Sequence, residues 1–401
     1  MWPDRAMITT ITALGRRGEG IAEVDGQRVF VPLALPGETV DIAVEGERGT
    51  LVSILDPSPE RITPFCPHFG PCGGCQLQHM SPASYAAFKR GLVETALRHA
   101  GIEAPLAPLV DARGTGRRRI TLHAIGPAAG FMAFHTHRLH DIDRCPITVP
   151  ALAQAPAIAR ACRAAVGDGD VSLTATLTGL DVEVKPKKRG KPERLAPLLG
   201  QFGLARVSLN GEPVLMAHPP VVKMGKATVE IAPQGFLQAT EAAEEILAGQ
   251  VLAGLAGLDN VADLFSGAGP FALRLAEAAR VYAADSDRAG IEALNKAYRH
   301  AKGLKPIEAV RRDLFREPLT AIELNRFDGL VFDPPRAGAE AQAREIARSK
   351  VKQVVAISCE PATFARDARL LIEGGYRLER VTPVDQFAFS THVEIVGVFR
   401  R

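Results

Sequence analysis

The chain has 401 residues, of which 46% are hydrophobic and 23% charged, and its formal net charge is +3 at pH 7. This composition is typical of a soluble globular protein of two or three domains, and no apolar run approaches the roughly twenty residues that cross a bilayer. The first seven residues contain no stretch like a signal peptide, so we expect a cytoplasmic protein with reduced thiols.

The N-terminal segment, residues 1–60, is expected to form a small β-barrel. Short apolar runs alternate with turn signals, and Asp25-Gly26 between two such runs predicts a hairpin. Val40–Val44 alternates like a half-buried strand. Five strands of this kind predict an OB-like barrel, and the prolines at 57 and 59 predict a linker after it.

Residues 61–230 are expected to form a mixed, mostly β middle domain. A helix is predicted over Ser84–Ala100, and Val171–Thr176 is typical of a strand. The segment holds five of the six cysteines. Four of them are candidate metal ligands, whereas Cys162 lies in an alanine-rich helical stretch and is interpreted as a core residue.

The third segment, residues 231–401, alternates strands with helices. This alternation predicts a Rossmann-like α/β domain whose sheet is mainly parallel. A helix is expected over Phe271–Arg280. The predicted strands are Val261–Phe265, Val281–Asp285, Gly329–Asp333, Gln353–Ile357 and Glu394–Phe399.

A glycine-rich loop after the first of these strands predicts a cofactor pocket. The spacing that starts at Gly267 also fits dinucleotide-binding proteins, and Asp285 ends the next strand, where it can bind ribose hydroxyls. Asp333-Pro334-Pro335 favours S-adenosylmethionine over NAD, because two prolines remove amide donors and leave acceptors for a sulfonium cation. Asp313 is a candidate for the adenine side.

Cys359 and Glu394 are the candidate reacting pair. Methylation of a pyrimidine at C5 needs a thiolate that adds to C6 and a base that removes the C5 proton. Cys359 ends an apolar run just before a predicted helix, whose N-terminus lowers a thiol pKa. His392 and Glu394 are expected to share one face of the last strand. Taken alone, Cys359 would more often be a small buried side chain; its position one strand after Asp333-Pro334-Pro335 favours the nucleophile.

Two motifs make the chain resemble a known family. Ser358-Cys359-x-Pro361-x-Thr363-x-Ala365-Arg366-Asp367 and His392-Val393-Glu394 resemble the nucleophile and base motifs of uridine C5 RNA methyltransferases. The resemblance extends over the whole chain and is to the form with an N-terminal TRAM domain and an iron–sulfur cluster. It implies contacts to S-adenosylmethionine from Gln238, Phe265, Asp285 and Asp333.

The chain departs from the family pattern at four positions. Glu360 replaces a usual asparagine and places a carboxylate beside the thiol, where it would raise the thiol pKa. Pro270 replaces a polar residue that is a frequent cofactor contact. Ser266 and Thr240 replace a cysteine and an asparagine.

Four early cysteines predict a metal site: Cys66, Cys72, Cys75 and Cys145. In a cytoplasmic protein such a set indicates metal rather than disulfides. Its spacing leaves zinc and iron–sulfur open. The family resemblance implies a [4Fe–4S] cluster.

RNA is the expected partner, and two basic runs are candidates for contacting it. These runs are Arg117–Arg119 and Lys185–Lys191, although the second is equally typical of a solvated face. The barrel resembles RNA-binding TRAM modules. Together with the four cysteines it favours 23S rRNA as the substrate, with transfer RNA as the alternative.

Three rival functions remain open from the sequence. A cytosine C5 methyltransferase uses the same thiol addition but usually carries its nucleophile in a Pro-Cys motif or in a different strand loop, whereas Cys359 follows Ser358. An NAD-dependent oxidoreductase is supported by the glycine loop alone. A non-catalytic, cluster-bearing RNA-binding protein is disfavoured because Asp333, Cys359 and Glu394 are all present.

Overall fold

A computed structural model describes residues 6–134, 136–188 and 190–401. Residues 1–5, which enter the signal-peptide prediction, and Arg189 of the second basic run lie outside the described residues. The chain divides into two compact units. The first consists of Met1–Leu92, Phe131–His140 and Phe387–His392, and the second of Val93–Gly130, Asp141–Gln386 and Val393–Arg401. These units cut across the three domains proposed from the sequence, and those boundaries stay a prediction.

The first unit contains a six-stranded sheet. Its strands are β1 (Ala6–Thr10), β2 (Ala13–Leu14), β3 (Gly20–Val24), β4 (Gln27–Val31), β5 (Thr39–Glu45) and β6 (Arg48–Asp56), in the order β1-β5-β6-β4-β3-β2. The predicted hairpin is confirmed: β3 pairs with β4, and Asp25 and Gly26 both have positive φ, 50° and 75°. Among the described residues no ladder joins the outer strands β1 and β2, so a closed barrel is not confirmed.

The next part of the chain is mostly β. Its elements are α1 (Pro82–His99), β7 (Val110–Asp111), β8 (Arg119–Ile125), β9 (Ala128–Met132), β10 (Leu139–Asp141), α2 (Ala155–Val166), β11 (Gly169–Thr176), β12 (Gly179–Pro186), α3 (Ala196–Phe202), β13 (Leu204–Leu209), β14 (Glu212–Met216), β15 (Val221–Met224) and β16 (Ala227–Glu230). Seven strands form a sheet in the order β10-β9-β8-β11-β12-β13-β14. Cys162 on α2 is fully buried, which confirms it as a core residue.

The remaining elements build the sheet that carries the site. They are α4 (Glu241–Gly254), β17 (Asn260–Leu264), α5 (Ala272–Leu275), β18 (Arg280–Asp285), α6 (Arg288–His300), β19 (Ile307–Arg311), α7 (Ala321–Leu324), β20 (Gly329–Phe332), α8 (Glu340–Arg348), β21 (Gln353–Ser358), α9 (Pro361–Glu373), β22 (Arg377–Asp385) and β23 (Glu394–Arg400). The order is β19-β18-β17-β20-β21-β23-β22-β7. The five strands from β19 to β21 are parallel, and β23 runs antiparallel to both neighbours. The predicted Rossmann-like α/β class is confirmed, although α5 is shorter than expected.

This topology fixes where a ligand can bind. Strands β17, β20 and β21 are almost wholly buried, because helices cover both faces of a parallel sheet. The strand order reverses between β17 and β20, and a crevice forms beyond the carboxyl ends of the strands at such a point. In the part of the chain that is described, no helix is long and apolar enough to cross a membrane.

Candidate active site

Cys359 lies at the end of β21, where the sheet meets the crevice. The strand ends at Ser358, Cys359 follows it half-buried, and α9 begins at Pro361. Proline is favoured at the first helical position because it needs no amide partner there and its φ is already helical. The local sequence therefore ends the strand and starts the helix with the thiol in the two-residue gap.

Glu394 lies opposite Cys359. The ladder between β21 and β23 pairs Ser358 with Ile395, so the next position of the same register places Cys359 beside Glu394. Glu394 is only 3% exposed. The expectation that His392 shares a strand face with Glu394 is wrong, because β23 begins at Glu394 and His392 belongs to the preceding loop.

A chain of side-chain amides joins the carboxyl groups of Glu394 and Asp333. Gln386 donates from Nε2 to Glu394 Oε2 at 2.6 Å and to Gln238 Oε1 at 2.7 Å. Gln238 in turn donates from Nε2 to Asp333 Oδ2 at 3.2 Å. The backbone N–H of Ala239 donates to Gln386 Oε1 at 2.7 Å.

The backbone N–H of Ala239 fixes the orientation of this whole chain. Because that group is a donor only, Gln386 must turn its oxygen towards it and its NH₂ towards Glu394 and Gln238. Gln238 must then present its own NH₂ to Asp333. Both glutamines are almost fully buried, so this order of donors is held away from solvent.

Burial disfavours charge at each reacting group. Burial raises the pKa of Glu394, and the neighbouring Asp333 raises it further. Burial also raises the pKa of Asp333. Burial, followed by the carboxyl groups of Glu394 and Asp333, raises the pKa of the Cys359 thiol to about 11, while Arg336 acts in the opposite direction. We predicted that the helix N-terminus lowers the thiol pKa, but burial and these two carboxyl groups outweigh that effect. The carboxyl groups that raise the pKa most are those of Glu394 and Asp333 and not that of the adjacent Glu360.

The glycine loop and the second strand end form the other side of the crevice. The backbone N–H of Gly267 donates to Asp285 Oδ2 at 2.8 Å, and a Cβ added at Gly267 would meet open space. Phe265 has a φ of 63°, which costs a non-glycine residue energy, and its ring lies 5.4 Å from that of Phe315. Asp313 accepts the backbone N–H of Phe315 at 3.0 Å. Four residues predicted to bind the cofactor thus lie in loops or at a strand end at this side of the crevice: Phe265, Gly267, Asp285 and Asp313.

A third carboxyl group lies near this crevice and was missed by the sequence reasoning. Asp263, on β17, is fully buried, and burial raises its pKa well above the usual value, with Asp333 and Asp285 adding to the effect. Three acidic side chains thus stand at neighbouring strand ends. Each would gain from a cation placed among them, so the donor set fits a sulfonium cofactor.

Two departures from the family pattern have structural roles. Thr240 caps α4: its Oγ1 accepts the N–H of Ala243 at 3.0 Å and donates to the carbonyl of Ala112 at 2.5 Å. Pro270 keeps its carbonyl oxygen bonded to Arg274 Nη1 at 2.7 Å. Thr240 therefore fixes the segment next to Gln238, whereas the bond at Pro270 involves only the backbone and does not depend on proline.

The prediction that Arg118 contacts RNA is wrong. Its side chain is buried, with Nε donating to the carbonyl of Gln238 at 2.9 Å and Nη2 to Glu244 at 2.5 Å. Arg119 donates to Thr174 Oγ1 at 2.8 Å. These arginines position the Gln238 segment from within the unit.

The four-cysteine site is not supported by the structure. Across residues 6–134, 136–188 and 190–401, no group of three or more His, Cys, Asp or Glu side chains is arranged to hold a metal ion. Cys66, Cys72 and Cys75 belong to the first unit and Cys145 to the second. The N–H of Gly74 donates to Cys72 Sγ at 3.4 Å, as amides often do to thiolate ligands.

Comparisons with known proteins identify the family. A family model described as tRNA (Uracil-5-)-methyltransferase matches residues 240–401, and a TRAM-domain model matches residues 9–48. An uncharacterized RNA methyltransferase of Rhizobium meliloti is 44% identical over 98% of this chain and 99% of its own. The 23S rRNA (uracil(1939)-C(5))-methyltransferase of Halomonas elongata is 35% identical over 96% of this chain and 87% of its own. The chain belongs to the uracil-C5 RNA methyltransferase family.

Membership confirms an RNA (uracil-C5)-methyltransferase with an N-terminal TRAM domain. A solved structure has the same fold: the Pyrococcus abyssi tRNA (uracil-54, C5)-methyltransferase in complex with S-adenosyl-L-homocysteine. Its TM-score is 0.77 at 22% identity, over 98% of this chain and all of that one. The fold of the chain is therefore that of this solved structure.

Proposed function

We propose that this methyltransferase transfers a methyl group from S-adenosylmethionine to C5 of a uridine through a covalent bond between Cys359 and C6. One observation carries the proposal. Cys359 and Glu394 occupy facing positions of one register, and amides join Glu394 to Asp333 at the crevice. A nucleophile, a base and an acceptor for the cofactor are thus held together.

The steps follow from the chemistry of the two side chains. The Cys359 thiol loses its proton to solvent, the thiolate sulfur bonds to C6 of the uracil, and the π-electron pair of the C5–C6 bond moves to C5. When bound, S-adenosylmethionine would supply an electrophilic methyl group: C5 would bond to its carbon while the bond from that carbon to the sulfonium sulfur breaks, leaving S-adenosylhomocysteine. Glu394 then removes the C5 proton, and the carbon–sulfur bond breaks to release the thiolate. The raised pKa of Glu394 makes it a stronger base than an exposed carboxylate.

Five residues would hold the cofactor beside the reacting pair: Gln238, Phe265, Gly267, Asp285 and Asp333. Carboxyl groups whose charge is disfavoured by burial gain stability from the positive sulfonium. Gly267 leaves room for the ligand, and Asp285 is oriented by a backbone N–H at 2.8 Å. Asp313 would lie towards the adenine.

We further propose 23S rRNA as the substrate, with the cytoplasm as the place of action. The support is the 35% identity to the Halomonas elongata 23S rRNA enzyme over nearly the whole chain. The alternative, transfer RNA, is supported by the description of the family model that matches residues 240–401 and by a fold likeness. Mapping 5-methyluridine in both RNAs from a strain that lacks this gene separates the two. Loss from transfer RNA alone would refute the rRNA proposal.

We also propose that Cys66, Cys72, Cys75 and Cys145 hold a [4Fe–4S] cluster, because four thiolates are the ligand set that such clusters prefer. Anaerobically purified protein should be brown, and a [4Fe–4S] cluster requires four iron ions and four sulfide ions per chain. Cys72→Ser should lose the colour, whereas Cys162→Ser should keep it. A colourless protein with one zinc ion would refute the cluster.

Methyl transfer itself is tested with labelled S-adenosylmethionine and RNA from the deletion strain. Wild-type protein should produce labelled 5-methyluridine, and Cys359→Ala should produce none. Cys162→Ala is the matched control, since it also removes a thiol but from the buried face of α2. RNA binding by the wild type without any methyl transfer would favour the non-catalytic binding protein.

A further inference from the structure

A six-residue loop, Phe387–His392, stands out in the first unit. Phe389 at its centre has a φ of 56°. Its backbone N–H donates to Tyr85 Oη at 3.0 Å, and its carbonyl accepts the N–H groups of Gln76 and Leu77 at 2.8 and 3.1 Å. Three hydrogen bonds thus hold the backbone of Phe389 in place.

A buried ammonium group fastens both ends of the loop. Lys89 is fully buried, and its Nζ donates to the carbonyl oxygens of Phe387 at 2.9 Å and His392 at 2.8 Å. The same Nζ lies 5.1 Å from the centre of the Tyr85 ring. The loop is therefore rigid, since its first, central and last residues are all bonded within the first unit.

An exposed aromatic ring rests on this loop. The centres of the Phe65 and Phe389 rings are 5.2 Å apart, and Phe389 in turn lies 5.6 Å from Tyr85. Phe65 is 55% exposed. A phenylalanine that is held from below yet open above presents a preformed aromatic surface, at little further entropic cost to a ligand.

Positive charge borders the same loop. Arg16 and Arg17 are exposed in the turn between β2 and β3, and Gly18 follows them. A Cβ at Gly18 would approach Thr391 Cγ2 to 3.3 Å and Leu77 Cδ2 to 2.6 Å, so this turn packs against the loop. The arginine-bearing turn and the Phe65 ring thus both border the same loop, and proteins that bind single-stranded nucleic acid combine aromatic rings with positive charge.

We propose that an unpaired base of the substrate RNA stacks on Phe65, with its phosphates beside Arg16 and Arg17. The identity of the ligand as RNA rests on the proposed function. The loop that supports Phe65 is flanked in the chain by Gln386 and precedes Glu394 by two residues. Stacking therefore holds the RNA on the chain segment that precedes Glu394, the proposed general base.

The test uses the full-length protein and a short single-stranded RNA that contains 2-aminopurine, whose fluorescence is quenched on stacking. A duplex of the same sequence is the second probe. Phe65→Ala should weaken single-strand binding about 5- to 100-fold and abolish the quenching. Phe65→Trp should keep both. Ile62→Ala is the matched control, because Ile62 is also exposed (42%) but is aliphatic.

Equal affinity of Phe65→Ala and wild type for the single strand would overturn the proposal, as would equal quenching by the duplex. A dimer that Phe65→Ala dissociates, with RNA affinity unchanged, would assign the surface to a second copy of the chain and also overturn it. Catalysis is scored separately by covalent trapping on 5-fluorouridine RNA. If the wild type forms no adduct but quenches 2-aminopurine, and Phe65→Ala loses that quenching, the proposed reaction is refuted and the stacking surface is supported.

Discussion

Replacing the buried base by its amide, Glu394→Gln, should stabilise the protein at high pH. Burial and the neighbouring Asp333 raise the pKa of Glu394 from 4.5 to about 8. A carboxyl group with a raised pKa in the folded state favours folding fully below pH 4.5, and this contribution is lost as the pH rises through about 8. The amide cannot ionise, so it escapes the loss and still accepts the hydrogen bond from Gln386.

The size of the effect follows from the same shift. At about 1.4 kcal/mol per pKa unit, the cost of ionising Glu394 in the fold grows by roughly 4 kcal/mol between pH 5 and pH 9. Part of this is shared with Asp333, since two nearby carboxyl groups each raise the pKa of the other. At roughly 2 °C per kcal/mol, the melting temperature of the variant relative to wild type should rise by at most about 8 °C between pH 5 and pH 9.

The assay is thermal unfolding of wild type and Glu394→Gln at a series of pH values. Glu103→Gln is the control, because Glu103 is an exposed carboxylate outside the site. The difference between variant and wild type should change more with pH for Glu394→Gln than for this control. A difference for Glu394→Gln that stays constant within about 1 kcal/mol would refute the claim that the base is a buried, charge-disfavoured carboxyl group.

Further predictions follow from the hydrogen bonds around the site. Gln386→Leu removes the donor to Glu394, so the pKa of Glu394 should rise further, the activity–pH curve should move to higher pH, and kcat at neutral pH should fall about tenfold. Asp285→Ala should raise the Kd for S-adenosylmethionine at least tenfold in a binding titration, and an unchanged Kd would contradict its role. Lys89→Met leaves two carbonyl oxygens without their donor and should lower the free energy of unfolding by about 2–5 kcal/mol in urea denaturation, whereas a loss below 1 kcal/mol would show that the loop does not depend on it.

The positions of Asp333 and Cys359 were predictable because local signals fix them. Each follows an apolar run, and a proline nearby ends the strand or starts a helix. Parallel strands with buried faces must bring their carboxyl ends to one edge, so both side chains had to face the crevice. The hairpin at Asp25-Gly26 was predictable in the same way, since its turn type demands those residues.

The amide chain was not predictable, because its members are remote in sequence. Gln386 and Gln238 are 148 residues apart. The family resemblance named Gln238 as a cofactor contact, but no sequence signal pointed to Gln386 or to the bond between the two. Arg118 was misread for a related reason. Its burial depends on Glu244, which is 126 residues away, so a run of arginines looks the same in sequence whether solvated or buried.

The thiol pKa shows a second limit of local reasoning. A helix N-terminus after Cys359 is visible in the sequence, and by itself it favours the thiolate. Burial and the carboxyl groups of Glu394 and Asp333 act in the opposite direction and are stronger. Those groups become neighbours of the sulfur only when the sheet forms.

Covalent trapping tests the central claim most directly. Wild-type protein incubated with S-adenosylmethionine and 5-fluorouridine RNA should form a stable adduct. The fluorine at C5 cannot be removed as a cation in the way that a proton is, so the bond to Cys359 is not released. Glu394→Gln should trap the methylated adduct on ordinary uridine RNA. Peptide mass spectrometry is expected to place both bonds on Cys359. Adducts on another residue, or methyl transfer by Cys359→Ala, would contradict the account.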